Sequence, residues 1–287
     1  MKPEQESRRA RFEDRVAIVT GGGTGIGRAT AIAFAQEGAK VLVVGRRAAP
    51  LTELAWSYAS IAGHPDDLAD PAASARVVED AVARWGRVDV LVNNAATIKL
   101  TPLAAVRAAD LAETMTVNVI SPTLLASAAN EHLARRQGAI VNVSTIFAHA
   151  TSPPRTSYYG ASKAALEALT RSWALELAPA GIRVNAIAPG PTDTGALERS
   201  ELPADAISQI KQAEIAATPL GRRGRPDEIA DWILHLASPS SAWVTGQVID
   251  IDGGIGLVGH PSAKPSRTPD VDHATSDRHR PECRIDA

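Results

Sequence analysis

Six short runs rich in valine and isoleucine punctuate the chain, at residues 16–20, 40–45, 88–93, 139–144, 183–188 and 247–250, each bounded by turn-forming residues. Runs of this length and composition read as strands, and their near-continuous apolar character implies burial on both faces. Between them lie Ala-rich stretches with helical spacing at 25–37, 71–85, 110–136, 158–178 and 226–237. Gly38 suits the left-handed residue that ends the first helix, while Pro71 and Pro226 suit first helical turns. Strands and helices alternating in this way require right-handed crossovers. The expected fold is α/β: a Rossmann-like, doubly wound parallel sheet of about seven strands with helices on both faces, in one domain over 15–256. A charged leader, 1–14, precedes it. A polar segment, 257–287, follows, and its Pro, Ser, Asp, His and Arg content predicts a disordered tail.

The first strand runs into Thr20-Gly21-Gly22-Gly23-Thr24-Gly25-Ile26-Gly27, which then opens the first helix. Bare glycine backbone lets a pyrophosphate approach closely, and the free N–H groups and dipole of the helix favour its negative charge. Glycines alone are weak evidence. On a strand–turn–helix they are strong. Their spacing differs from the common dinucleotide fingerprint and resembles the T-G-x-x-x-G-x-G loop of the short-chain dehydrogenase/reductase family. Over about 15–256 the pattern is most similar to bacterial 3-oxoacyl carrier-protein reductases and related alcohol dehydrogenases. The segments Thr218-Pro219-Leu220-Gly221-Arg222 and Asp250-Ile251-Asp252-Gly253-Gly254 carry much of that likeness.

The resemblance implies a nicotinamide dinucleotide held by Gly21, Gly23, Thr24, Gly25, Ile26 and Gly27. NAD-preferring relatives end the second strand with an acid. Here Gly45 stands there, followed by Arg46 and Arg47. Two guanidinium groups can hold a 2′-phosphate in forked, charge-assisted bonds, which favours NADP(H) and leaves NAD(H) as the alternative. Asp67-Leu68 resembles the pair whose acid contacts adenine, and Asn93-Asn94-Ala95-Ala96 the N-N-A-G signature, so Asp67, Leu68, Asn94 and Ala95 join the expected cofactor set. Pro189-Gly190, at the end of a V-N-x-I-x-P-G-like stretch, and Thr192 and Thr194 after it, complete that set by resemblance.

Tyr159-Gly160-Ala161-Ser162-Lys163 matches Y-x-x-x-K. Residues four apart share one helix face, so phenol and ammonium project together. A lysine cation and the positive nicotinamide ring beside the phenol are expected to lower its pKa and suit it to general acid or base work. Lys163 is also implied to bind the nicotinamide ribose. Only Tyr159 has the lysine at this spacing, so Tyr158 is expected to pack or line the cleft. The family's substrate-orienting serine falls on Thr145 when aligned from the strand, with Ser144 as the alternative. Asn118 in Thr116-Val117-Asn118-Val119 matches the tetrad asparagine that distorts its helix and holds a water next to the lysine. The expected catalytic set is therefore Asn118, Thr145, Tyr159 and Lys163, and the expected substrate contacts are Ser144, Thr145, Phe147 and Tyr159. A lid is expected over 195–218, with Leu197, Leu202, Ile207, Ile210 and Ile215 as inward groups. His149 reads as a pocket-wall or surface histidine.

Composition narrows the remaining classes. Lys plus Arg number 30 against 32 Asp plus Glu, a net charge of −2, so no basic field exists to hold nucleic acid. The single cysteine, Cys283, excludes an internal disulfide and Cys-based zinc sites. His260, His273 and His279 are irregularly spaced, and no metal is expected. Neither a signal-peptide core nor a run of about 18 apolar residues occurs, which predicts a cytoplasmic protein without membrane contact. The resemblance implies a small-molecule carbonyl or alcohol substrate and a homotetramer or homodimer. The competing class, a nucleotide-binding regulator that has lost the chemistry, should lack the tyrosine or the lysine; this chain keeps both.

Overall fold

The computed structural model describes residues 10–150, 153–200 and 202–258. The first nine residues of the leader and the tail from 259, with His260, His273, His279 and Cys283, lie outside the described residues. Seven parallel strands form one sheet among the described residues: β1 Val16–Thr20, β2 Lys40–Gly45, β3 Ile61–Pro65, β4 Val90–Asn93, β5 Ala139–Val143, β6 Arg183–Pro189 and β7 Val248–Ile251. Their order is β3-β2-β1-β4-β5-β6-β7. The first three strands wind toward one edge and the rest toward the other. This leaves a crevice at the carboxyl ends of β1 and β4, where ligands bind in doubly wound sheets.

The apolar runs divide their side chains between two cores. Ala17 and Val19, Val41 and Val43, Val90 and Val92 point to one face. Helices α1 Gly25–Gln36, α2 Ala48–Ser57 and α8 Pro226–Ala237 cover that face through Phe34, Leu51, Leu54 and Ile233. Ile18, Leu42, Val44, Leu91 and Ile140 point to the other. There they meet Val77 of α3 Ala73–Trp85, Leu125 of α5 Ser121–Ala134 and Ala174 of α6 Ser157–Leu177. Strand alternation thus explains why the central strand positions are mostly apolar.

Three departures from the sequence reading have local causes. Strand β3, Ile-Ala-Gly-His-Pro, was not among the six expected runs; it is the sheet edge, paired only to β2 and half-exposed, so it carries little apolar signal. Helix α2 was also unexpected, being short with Pro50 in its first turn. The expected helix 110–136 is two helices, α4 Ala108–Met115 and α5, joined by a π-helical turn at Thr116–Ile120 that contains Asn118.

Asp89 fastens the amino ends of the central strands. It is fully buried, accepts from the Val16 N–H at 2.9 Å and takes the Arg87 guanidinium at 2.6 and 2.7 Å. Asp89→Ala strands a guanidinium and a strand N–H. It should cost about 3 kcal/mol, read as a lower urea midpoint at unchanged slope.

Candidate active site

Two adjoining cavities lie along the carboxyl ends of the strands and share Gly21, Thr24, Ala95 and Ala96. One is about 600 Å³ and the other about 290 Å³. Another cavity, of about 560 Å³ beneath Arg15, Arg136 and Arg183, opens at the opposite ends and touches none of the expected site residues.

The glycine loop is built by close approach. Gly21 and Gly25 have φ of 65° and 54°, in the left-handed region that favours glycine. Thr20 locks the loop to the β4 end: its hydroxyl accepts from the Asn94 and Ala95 N–H groups at 2.9 and 3.0 Å. The Asn94 side chain returns a bond to the Thr20 carbonyl at 2.8 Å. Helix α1 begins at Gly25 with no side-chain cap and no acid in its first turn. Its amino-terminal N–H groups are therefore left for an anion, so the cradle fits a dinucleotide pyrophosphate. Exposed Arg46 and Arg47 line the smaller cavity with Asp67 and Leu68, placing two cations at the expected adenosine end. Gly21, Thr24, Gly25, Ile26, Asn94, Ala95, Pro189, Gly190, Thr192 and Thr194 line the larger cavity; Gly23 lines the smaller. Gly27 lines neither and packs against Gly21 and Asn94.

Thr145, Tyr159 and Lys163 meet on one wall of the larger cavity. The Thr145 hydroxyl stands beside the Tyr159 phenol and lies 3.5 Å from the Pro189 carbonyl. Lys163 is 2% exposed, and its Nζ donates to the Val143 carbonyl at 2.7 Å. No carboxylate neutralises it, and two of its three N–H donors remain for ligand hydroxyls. The expected lowering of the tyrosine pKa includes the cationic nicotinamide; in the protein alone burial acts the other way. It pushes Tyr159 up to about 12, against the neighbouring Thr145 hydroxyl, and pushes Lys163 down to about 8. Desolvation penalises both charged forms, so the phenol stays protonated through neutral pH.

Asn118 is fully buried, and both its amide hydrogens are spent, on the Thr97 carbonyl and the Ser162 hydroxyl, each at 3.0 Å. Its side chain thus holds the π-helical turn against α6. Ser144 reaches the cavity wall, but its hydroxyl donates to Glu167 at 2.7 Å. The Ser144 hydroxyl is thus spent on α6, and Thr145 is the hydroxyl left beside Tyr159 on the cavity wall. The Tyr158 hydroxyl donates to Thr101 at 2.9 Å, and the side chain packs rather than lining the cavity.

The lid segment holds helix α7, Ala204–Ala217. Leu197, Leu202 and Ile210 line the larger cavity with Ile98, Leu100 and Phe147; Ile207 and Ile215 do not. Arg223, which the sequence reading missed, anchors this helix. Its guanidinium reaches Asp193 and Glu214, each at 3.1 Å, and donates to the Thr192 carbonyl at 2.9 Å. Glu167 was missed as well, although it lies one turn beyond Lys163 on the Tyr159–Lys163 stripe.

Comparison with known proteins agrees with this geometry. The family model described as enoyl-(acyl carrier protein) reductase matches residues 21–256. A 3-oxoacyl-[acyl-carrier-protein] reductase of Thermotoga maritima is 38% identical over 250 residues, 85% of this chain and 99% of the relative. A cis-4-hydroxycyclohexanecarboxylate dehydrogenase of Sinomonas cyclohexanicum is 38% identical over 252 residues, 85% of this chain and 97% of the relative. Among solved structures, a short-chain dehydrogenase/reductase of unknown function from Caenorhabditis elegans, crystallised with cofactor, superposes with a TM-score of 0.80 at 33% identity. That match covers 86% of this chain and 97% of the other. Matched along nearly the whole sheet in sequence and in structure, the chain belongs to the short-chain dehydrogenase/reductase family, oxidoreductases that act between CH–OH and C=O groups.

Proposed function

We propose that this protein is an NADP(H)-dependent reductase of a small ketone or aldehyde, with Tyr159 as the proton donor. The observation that carries the reading is the meeting of Thr145, Tyr159 and buried Lys163 on the wall of a cavity continuous with the glycine cradle. The bound nicotinamide supplies the hydride. Thr145 orients the carbonyl oxygen, and Tyr159 gives it a proton. Lys163, braced by Val143, binds the ribose hydroxyls, and Asn118 holds the neighbouring turn against α6. Gly190, Thr192 and Thr194 close the nicotinamide end. Tyr159 is neutral at ordinary pH, the form that gives a proton to a carbonyl oxygen. Oxidation of the alcohol needs the phenolate and gains as pH rises.

The apolar lining from Ile98, Leu100, Phe147, Leu197, Leu202 and Ile210 suits a carbonyl carried on a hydrocarbon body. Ketone–alcohol interconversion is also consistent with the names of the reductase and dehydrogenase relatives. No helix among the described residues is long and apolar enough to cross a membrane. The reading includes a cytoplasmic location and assembly as a homotetramer or homodimer. Exposed Leu111 on α4, Ile120 in the π-helical turn and Leu175 on α6 offer apolar surface for that assembly.

Fluorescence titration of NADPH beside NADH tests the cofactor half. Wild type should prefer NADPH, and Arg46→Ala should cut that preference at least about tenfold by removing a charge-assisted phosphate contact. Equal affinities, or a preference for NADH, would favour an NAD-dependent secondary-alcohol dehydrogenase. Binding of neither would favour a regulator without chemistry.

A further inference from the structure

Thr145 opens a short 3₁₀ turn, Ile146–Ala148, on the floor of the cavity. Both ends of the segment that carries it are fastened to one buried carboxylate. Ser144, immediately before Thr145, donates its hydroxyl to Glu167 Oε1 at 2.7 Å. His149, immediately after the turn, sets its Nδ1 at 3.1 and 3.2 Å from the two Glu167 oxygens. Its other nitrogen, Nε2, lies 3.0 Å from Asp250 Oδ1 on β7. Glu167 is 3% exposed, and it stands four residues beyond Lys163 and eight beyond Tyr159 on α6. One helix stripe therefore presents the proton donor, the ribose-binding ammonium and the anchor of the turn that bears the orienting hydroxyl.

We propose that His149 and Glu167 are positioning residues for the proposed reduction: a proton-dependent clamp that holds the Thr145 segment between α6 and β7. The geometry sets the charge state. A neutral imidazole has one N–H and one lone pair, so it can satisfy only one of two carboxylates and turns a lone pair toward the other. The imidazolium donates to both. The charged groups around the ring are Glu167 from α6 and Asp250 from β7. Arg171, a turn further along α6, reaches the second Glu167 oxygen at 3.9 Å. Burial opposes protonation of His149, but the two carboxylates outweigh it and raise its pKa. The clamp is accordingly complete below the ordinary imidazole value of about 6.5 and is released as pH rises through the elevated value. Release frees the Thr145 hydroxyl to drift from the phenol, and small misplacements at a reacting centre lower kcat more than binding.

This inference rests on the oxidoreductase reading, so the experiment has one arm that does not require turnover. NMR of histidine-labelled protein, with the His149 resonance assigned by its absence in His149→Gln, should show His149 titrating above about 6.5 in wild type. It should titrate lower in Asp250→Asn, a change at a half-exposed position that leaves the core untouched. In the activity arm, NADPH with ethyl acetoacetate as probe should give a wild-type kcat that falls through the same pKa. His149→Gln should lose that limb and run about tenfold slower at pH 6, with the KM for NADPH within about twofold. A raised His149 pKa without turnover by any variant would support the protonated clamp and count against the proposed reduction of such ketones with NADPH. An ordinary His149 pKa with superimposable profiles for wild type and His149→Gln would overturn the clamp and leave that reading standing.

Discussion

Tyr159→Phe is expected to lower kcat for carbonyl reduction by about 10³–10⁴, while NADPH affinity changes by less than about twofold. The substitution removes one oxygen and little else. Tyr159 is 8% exposed, and its ring keeps its place in the wall. Thr145 retains the Pro189 carbonyl at 3.5 Å and the Phe147 N–H at 3.4 Å, so the orienting hydroxyl stays close to position. Lys163 donates to Val143 and not to the phenol, so the ribose-binding ammonium is not disturbed. What disappears is the proton for the developing alkoxide, a loss of about 4–5.5 kcal/mol of transition-state stabilisation on the rate scale. Steady-state kinetics with a β-keto ester, beside a fluorescence titration of NADPH, separates the two quantities. A matching loss of cofactor affinity would mean that Tyr159 holds the wall rather than the proton.

Gly27→Ala should be the most damaging single methyl in the cofactor cradle. A Cβ at Gly27 would lie 2.3 Å from the Gly21 carbonyl oxygen and 2.5 Å from the Asn94 amide nitrogen. The first is backbone that cannot swing aside. The second is the side chain that ties the loop to Thr20. Relief requires the glycine loop to move off β4, with overpacking strain of up to about 3 kcal/mol. If that strain falls on the binding-competent loop, NADPH affinity drops by about a hundredfold. The expected pattern is a raised dissociation constant together with a lowered melting temperature, the reverse of Tyr159→Phe, which spares both. Gly86→Ala is the contrasting control. Nothing lies within 4 Å of a Cβ there, and its φ of 71° confines the cost to the backbone, far from the cradle.

The fold was legible wherever the signal was local and burial complete. Strands β1, β2, β5 and β6 are mostly apolar because their central side chains face one core or the other. Edge strand β3 has a solvated side and pairs with one neighbour only, so its Ala-Gly-His-Pro sequence carries no such mark. Likewise, the glycine loop and the Tyr159–Lys163 spacing announce themselves within eight and five residues. The choice between Ser144 and Thr145 depends on which hydroxyl the Glu167 carboxylate takes up, and that is a tertiary fact. The burial that raises the Tyr159 pKa in the protein alone is likewise a tertiary fact, which the spacing to Lys163 does not show. Ser144 and His149, Glu167, and Asp250 come together from three separate stretches of chain, a meeting that no local pattern in the sequence marks.

The most direct measurement is isotope transfer from NADPH deuterated at nicotinamide C4 to a panel of ketones that includes a β-keto ester and a cyclohexanone. Products are read by mass spectrometry, with wild type beside Tyr159→Phe. Wild type should yield an alcohol carrying one deuterium on the former carbonyl carbon, and Tyr159→Phe should yield the same product at least about a thousandfold more slowly. Unlabelled alcohol, or labelled alcohol formed equally fast by both proteins, would contradict hydride transfer assisted by Tyr159.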